Sequence, residues 1–494
     1  MEQGRVRANG FKYRDIFMRT SKIALSLACL GMTVSCGGGG SPTPSPVATT
    51  PAPTPTPSPT STTATCSLEN RQQFAFDVLD EWYLFPNLLA AGVNPDNYNT
   101  VQGYIDALVA PARAESKDRF FSYITSIEEE NAFFNQGSSA GFGFRLAYDL
   151  DARRVFVAET FDNTPALGAN IERGTELLGI GTTSSNIQTV NSLIANGGAQ
   201  AVINALGPSD PGVTRVLRIN DASGVTREVS VSKADYALDP VPRYGAQIID
   251  DGGKQVGYIR LTNFINPAID DLRDAFADFR AAGVTELVID LRYNGGGGIN
   301  VNEFFGDMMG RDLDGQVFET IAFRDSKSEF NETYRFNAQP ESIAPTRIAF
   351  ITTSGSASAS EALINGMQPY IGNDLAIVGE NTFGKPVGQS AFDLPACDDR
   401  LRVVTIKLEN ANGNGEYFNG LATTVPNTCR AQDDLRYNFG DPREDMLATA
   451  LDFLAGRTCT PIAGGPATTQ STGRDLLQPE RATTVLEHEA PGVY

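Results

Sequence analysis

Three stretches of this sequence carry residue types that could do chemistry together. Ser354-Gly355-Ser356-Ala357-Ser358-Ala359-Ser360-Glu361 follows an apolar run, Ile348 to Thr352. A serine at such a strand-to-helix turn presents its hydroxyl beside backbone N–H groups that have no helical partner and can stabilise an oxyanion. Gly384-Lys385 follows a second apolar run, Leu375 to Val378, with Phe383 alongside. A lysine can serve as the base if burial lowers its proton affinity, and Gln389, four residues on, carries an amide able to orient the amine. The third stretch is Asn294-Gly295-Gly296-Gly297-Gly298, into which the buried-strand pattern Val284 to Arg292 empties. It has neither the Gly-Lys-Ser/Thr ending nor the Gly-x-Gly-x-x-Gly register of a phosphate loop.

Composition narrows the choice of base. The 494 residues include a single histidine, His488, the seventh residue from the end, in a segment that reads as a tail. That excludes Ser-His-Asp and Cys-His catalysis within one chain, the HExxH metalloproteases and most zinc hydrolase sites. A Ser-Lys(-Gln) constellation is what remains, and it calls for no metal or organic cofactor. The balance of 39 Lys plus Arg against 59 Asp plus Glu, a formal charge of −20, makes nucleic acid or an anionic membrane face an unsuitable partner.

The expected fold class is α/β, in a multidomain α+β chain. Residues 1–35 read as an export signal, with basic side chains before the apolar run Ile23 to Val34, which is too short to span a bilayer. Residues 36–65, rich in Pro and Thr, read as an extended tether. Helical spacing of Phe74, Val78, Leu79, Tyr104, Ile105 and Leu108 predicts a helical domain over 66–136, with aromatics such as Trp82 in its core. Short strands and turns follow over 137–238. Residues 239–459 alternate strands with loops and helices, including a predicted amphipathic helix Ala268 to Ala282, and so carry the site at their strand ends. Residues 460–494 are expected to be a disordered tail that contains His488 and lies away from catalysis.

With Cys29 in the signal and Cys36 at its end set aside, Cys66, Cys397, Cys429 and Cys459 remain, an even number suited to an oxidising compartment. Four cysteines allow three pairings. The expected one is Cys397 with Cys429 and Cys66 with Cys459.

Three resemblances sharpen these expectations. Thr33-Val34-Ser35-Cys36-Gly37 resembles the lipobox of bacterial lipoproteins, which implies acylation of Cys36 and a lipid anchor on the periplasmic side of the outer membrane or at the cell surface. The 137–238 segment resembles a PDZ domain, with Gly141-Phe142-Gly143-Phe144 as its carboxylate-binding, peptide-binding loop. Gly355 to Glu361, Thr382 to Lys385 with Gln389, and Asp290 to Gly297 look like the three signature loops of the carboxyl-terminal processing (tail-specific) serine protease family, over roughly residues 67–457. That resemblance implies a crotonase/ClpP-like α/β spiral in the catalytic domain and peptide-bond hydrolysis of protein or peptide substrates with accessible C-termini. It also implies Ser358 as nucleophile, Lys385 as general base, Gln389 as its orienter, and the N–H groups of Gly296 and Ala359 as oxyanion hole. Ser356, Ser360 and Glu361 would be supporting residues. Three positions depart from the family pattern: Gln368-Pro369 where some members have Asp, Pro386 in place of Gly after the lysine, and Gly295 in place of Pro. The competing readings are a non-catalytic tethered peptide-binding lipoprotein and a crotonase-like acyl-CoA enzyme. Oligomeric state is not legible.

Overall fold

A computed structural model of the protein describes residues 66–463 and 474–494. The predicted signal and tether, with Cys36, lie outside the described residues. The fold is mixed α/β. Its centre is a six-stranded sheet in the order 246–251, 254–260, 286–290, 347–352, 375–379, 427–430. The first pair is antiparallel and every later pair parallel. Because successive side chains on a strand point to opposite faces, Leu287 and Ile289 join a core beneath the helices Ala268–Ala281, Ile299–Met309 and Ala359–Ile371. Val288 points the other way, into a second core closed by the helix Asp445–Leu454. Both faces are thus buried, as parallel strands require, and the Gly- and Ser-rich loops emerge together at the strand ends.

The predicted helical region is less separate than expected. It contributes the helices Leu68–Trp82, Val101–Leu108 and Ile127–Gln136, but also a strand, Tyr123–Ser126, that pairs with Asp399 to Arg402. Its core residues Leu79, Tyr83, Ile105 and Leu108 share one cluster with Val387, Leu401 and Val403 of the long hairpin 387–410. Trp82 packs at the half-buried margin, against Phe323, Phe330 and Phe392. The hairpin therefore rests on the N-terminal helices, and the residues after Thr382 inherit their position.

A third sheet contains the strands 144–149, 154–160, 176–181, 214–220 and 226–232 in that order, with helix Val190–Leu206 on it. Its outer edge is not open: Asp475–Leu476 pairs with Ala147 and Tyr148. Residues 474–494, expected to be a disordered tail, are ordered. Val485, Leu486, Ala490 and Val493 are buried with Phe133, Phe161 and Ile265, and this apolar burial offsets the entropy of ordering a segment whose composition alone suggested a tail.

The disulfides also differ from expectation. Cys66 bonds Cys397, with Cα atoms 5.5 Å apart, and Cys429 bonds Cys459, at 5.3 Å. Cys66 lies just before the first helix, and Arg71 of that helix pairs with Asp399 at 2.5 Å, which brings Cys66 to Cys397. Residues 459–462 run back along the edge strand 427–430, where Arg430 N–H donates to the Thr460 carbonyl at 2.7 Å, so Cys459 meets its near neighbour Cys429. Non-reducing peptide mapping should recover these two linkages, and a peptide joining Cys397 to Cys429 would contradict the fold. Replacing Cys66 and Cys397 by serine should cost about 2–4 kcal/mol in denaturant unfolding.

Candidate active site

The serine-rich turn Ser354–Ser360 is held from below by two of its own hydroxyls. Ser356 Oγ donates to the Leu291 carbonyl at 2.8 Å, and Ser360 Oγ donates to the Asn294 carbonyl at 2.9 Å; both residues are fully buried. Ser358 alone of the three keeps some surface. It sits directly before the helix Ala359–Ile371 with φ 56° and ψ −116°. A non-glycine residue costs about 1–3 kcal/mol in such a conformation and persists only where its surroundings impose it. The turn thereby lifts the Ser358 side chain out of the packed layer that its neighbours anchor.

What joins this turn to Lys385 is the carboxylate of Glu361, which is fully buried. Its Oε2 accepts the N–H of Ser358 at 3.1 Å and of Lys385 at 2.7 Å, and its Oε1 accepts the N–H of Gly384 at 2.7 Å. Burial raises its proton affinity, against which the Thr382 side chain and the three backbone donors act. The Phe383 N–H adds a bond to the Ser356 carbonyl at 2.9 Å. Two loops far apart in sequence are thus fastened on one side chain. The spacing Ser358-x-x-Glu361 is a capping-box pattern, the sequence signal that could have given Glu361 this part.

Lys385 is half-buried, with Nζ 4.9 Å from the centre of the Phe121 ring. Burial lowers its pKa below the ordinary value, with a smaller push from Arg402; Glu489, Asp118 and Glu361 oppose it. Among the described residues Nζ makes no hydrogen bond, and none joins it to Ser358 Oγ. Catalytic hydrogen bonds in unliganded sites are often long and tighten only with substrate. Gln389 does not bond the amine either. A register shift between Gly388 and Gln389 in the hairpin directs its Nε2 to the Phe121 carbonyl, at 3.0 Å, so it fixes the ring beside the lysine instead.

The loop 118–122 supplies residues that the sequence reading did not single out. Asp118, fully buried, accepts the N–H groups of Phe121 and Ser122 and the hydroxyls of Ser122 and Tyr83. Arg119 Nη2 donates to the carbonyls of Phe383 at 3.0 Å and Gly384 at 2.5 Å, and its guanidinium lies over the Phe383 ring. The only signal in sequence is a charged pair set directly before Phe120-Phe121.

The glycine loop closes the other side. Gly296 has φ 110°, and a Cβ there would lie 2.7 Å from Ser358 Cβ and 3.0 Å from Ala359 N, so only glycine lets the loop approach the serine turn this closely. Ala359 opens its helix, where N–H groups have no intrahelical acceptor. The Gly296 N–H instead donates to Asn294 Oδ1 at 2.9 Å, so one of the two expected oxyanion donors is engaged within its own loop. Below it, Arg292 is fully buried among Asp290, Asp433 and Glu444 at 2.9–3.0 Å, and the Tyr293 hydroxyl bonds Asp433. The two guanidinium groups of Arg173 and Arg292 hold Asp433 well below the usual carboxylate range despite its burial.

His488, expected to lie remote from catalysis, stacks on the Tyr123 ring at 3.7 Å, within electrostatic reach of Lys385. Burial, with Lys385 and Arg481, pushes its pKa down to about 4, so it is neutral at pH 7. The expected peptide-binding loop is also occupied: the N–H groups of Gly143 and Phe144 donate to the Tyr494 backbone oxygen at 2.9 and 3.5 Å, while Phe142 and Phe144 are core residues of their sheet.

Glu361→Ala should leave the Ser358, Gly384 and Lys385 N–H groups without their acceptor and open a cavity. The expected loss is about 3 kcal/mol or more in equilibrium unfolding, where a change within 0.5 kcal/mol would contradict the role given to this carboxylate.

Residues 255–426 match the model of "Peptidase family S41". A carboxyl-terminal-processing protease of Picosynechococcus sp. is 28% identical over 264 residues, 52% of this chain and 57% of that protein; the match thus spans little more than half of its length. A protein of the same name from Synechocystis sp. is 24% identical over 326 residues, 65% of this chain and 69% of that protein. A Bacteroides fragilis crystal structure assigned to the S41 proteases superposes with a TM-score of 0.61 at 24% identity, over 78% of this chain and 97% of that one, which shows a shared fold. Residues 255–426 are therefore similar to peptidase family S41.

Proposed function

We propose that this protein is an exported serine endopeptidase of the carboxyl-terminal processing type that works with a Ser358–Lys385 dyad. The observation that carries the reading is the Glu361 carboxylate holding the backbones of both residues while burial lowers the lysine's pKa. Lys385 Nζ, neutral, takes the Ser358 Oγ proton as Oγ attacks the scissile carbonyl. The negative oxygen of the tetrahedral intermediate is met by the N–H of Ala359 and, once it turns from Asn294, of Gly296. The ammonium then returns its proton to the leaving amine, and water resolves the acyl-enzyme by the same path in reverse.

The 137–238 segment is assigned as a PDZ-like module that receives a substrate tail along the strand Phe144–Asp149, with the Gly143 and Phe144 N–H groups at its end. Export and a lipid anchor on Cys36 belong to the same proposal, supported by the two disulfides, which suit an oxidising compartment.

Ser358→Ala and Lys385→Ala should each lower the rate of hydrolysis of an unstructured protein by about 10³-fold or more, and persistent cleavage by Ser358→Ala would sink the mechanism. Because the base is the neutral amine, the rate should rise with pH through a pKa below the ordinary lysine value of 10.5. A flat profile between about pH 6 and 10 contradicts a lysine base. In cells, labelled fatty acid should enter the wild-type chain and not Cys36→Ser; equal labelling would remove the anchor from the proposal.

A further inference from the structure

Residues 474–494 lie against both the Gly143 loop and the glycine loop of the site. Residues 492–494 and 475–477 add to one edge of the strand Phe144–Asp149. Tyr494 N–H donates to the Phe144 carbonyl at 3.0 Å, Leu146 N–H to Gly492 at 2.8 Å, and Leu477 N–H to Leu146 at 2.9 Å. The Tyr494 ring is buried in the core with Phe142, Phe144 and Leu477, and its hydroxyl donates to the Leu477 carbonyl at 2.8 Å. Gly141 makes room for it: a Cβ there would lie 2.5 Å from the Tyr494 carbonyl carbon.

Three to five residues back from Tyr494 along the same segment lies the mouth of the site. The Glu489 carbonyl accepts from Asn263 Nδ2 at 2.7 Å, and its side chain accepts from the Tyr123 hydroxyl at 2.9 Å. A Cβ at Gly295 would meet Pro491 at 3.3 Å and the Glu489 carbonyl at 3.4 Å. The backbone of 489–491 thus passes over the glycine loop whose Gly296 N–H is turned to Asn294.

We infer that residues 474–494 are an intramolecular peptide ligand that fills both the strand-addition edge at Phe144 and the mouth of the catalytic site, and that this holds the chain latent until a competing peptide with an aromatic residue in the place of Tyr494 displaces it. The inference rests on the peptidase reading above. A tethered segment competes at an effective concentration of about millimolar, so weak tails in free solution do not open the site.

The test compares the full chain with one lacking residues 484–494, using a fluorescein-labelled peptide of the sequence 484–494 and denatured casein. The shortened chain should bind the peptide saturably and the full chain much more weakly. The shortened chain should also cleave casein at least about tenfold faster, as release of a strap closed ten to one requires, and unlabelled peptide should restore the slow rate. Equal binding and equal rates overturn the strap and leave the peptidase reading standing. Saturable binding confined to the shortened chain, with no cleavage by either, supports the strap and overturns the peptidase reading. Should the shortened chain not fold, Tyr494→Ala in the full chain carries the test. Amide exchange over 488–494 and the casein rate should rise together; faster exchange with an unchanged rate, or no rise in either, overturns the inference.

Discussion

The site depends on one buried carboxylate. Glu361 stands in the first turn of its helix, where a negative charge is favoured by the helix N-terminus, and spends its oxygens on the backbones of the serine and lysine loops. A carboxylate taken out of water costs several kcal/mol unless its lone pairs are satisfied, and here the N–H donors of Ser358, Gly384 and Lys385 satisfy them. The same bonds fix the distance between two loops that share no local sequence.

A second buried charge system supports the glycine loop from the opposite side. Arg292 neutralises Asp290 and Glu444 and shares Asp433 with Arg173, which comes from the strand-rich segment. Arg145, also fully buried, bonds Glu159 and donates to the Tyr293 carbonyl at 3.2 Å. Removing one member would leave a charge stranded in the interior, a loss of about 3–5 kcal/mol, so the network ties the geometry of the glycine loop to the edge strand that the strap occupies.

Much of the architecture was legible because it is local. The strand ahead of the glycine loop was expected over 284–292 and is found at Glu286–Asp290; the helix expected over 268–282 is found at Ala268–Ala281. Apolar periodicity reports burial on one face or two, and these elements sit in the core. The serine turn and the lysine loop were legible as candidates, since small residues after an apolar run announce a strand end. Of the clamps on them, Glu361 was expected only as a supporting residue, and Asp118 and Arg119 were not read. Their partners are backbone groups, which look alike at every position in a sequence.

Sequence by itself determined the chemistry available: a hydroxyl, a lysine and a glycine loop. Those are properties of residue type and order. Only the tertiary structure decided which cysteines meet, where Gln389 points, and that 474–494 is an ordered strap rather than a tail. Cys66 finds Cys397 because a helix packs across a hairpin more than three hundred residues away in sequence, a separation of 331. The strap is ordered because an open strand edge and an apolar groove receive it, and neither exists until the rest of the chain has folded.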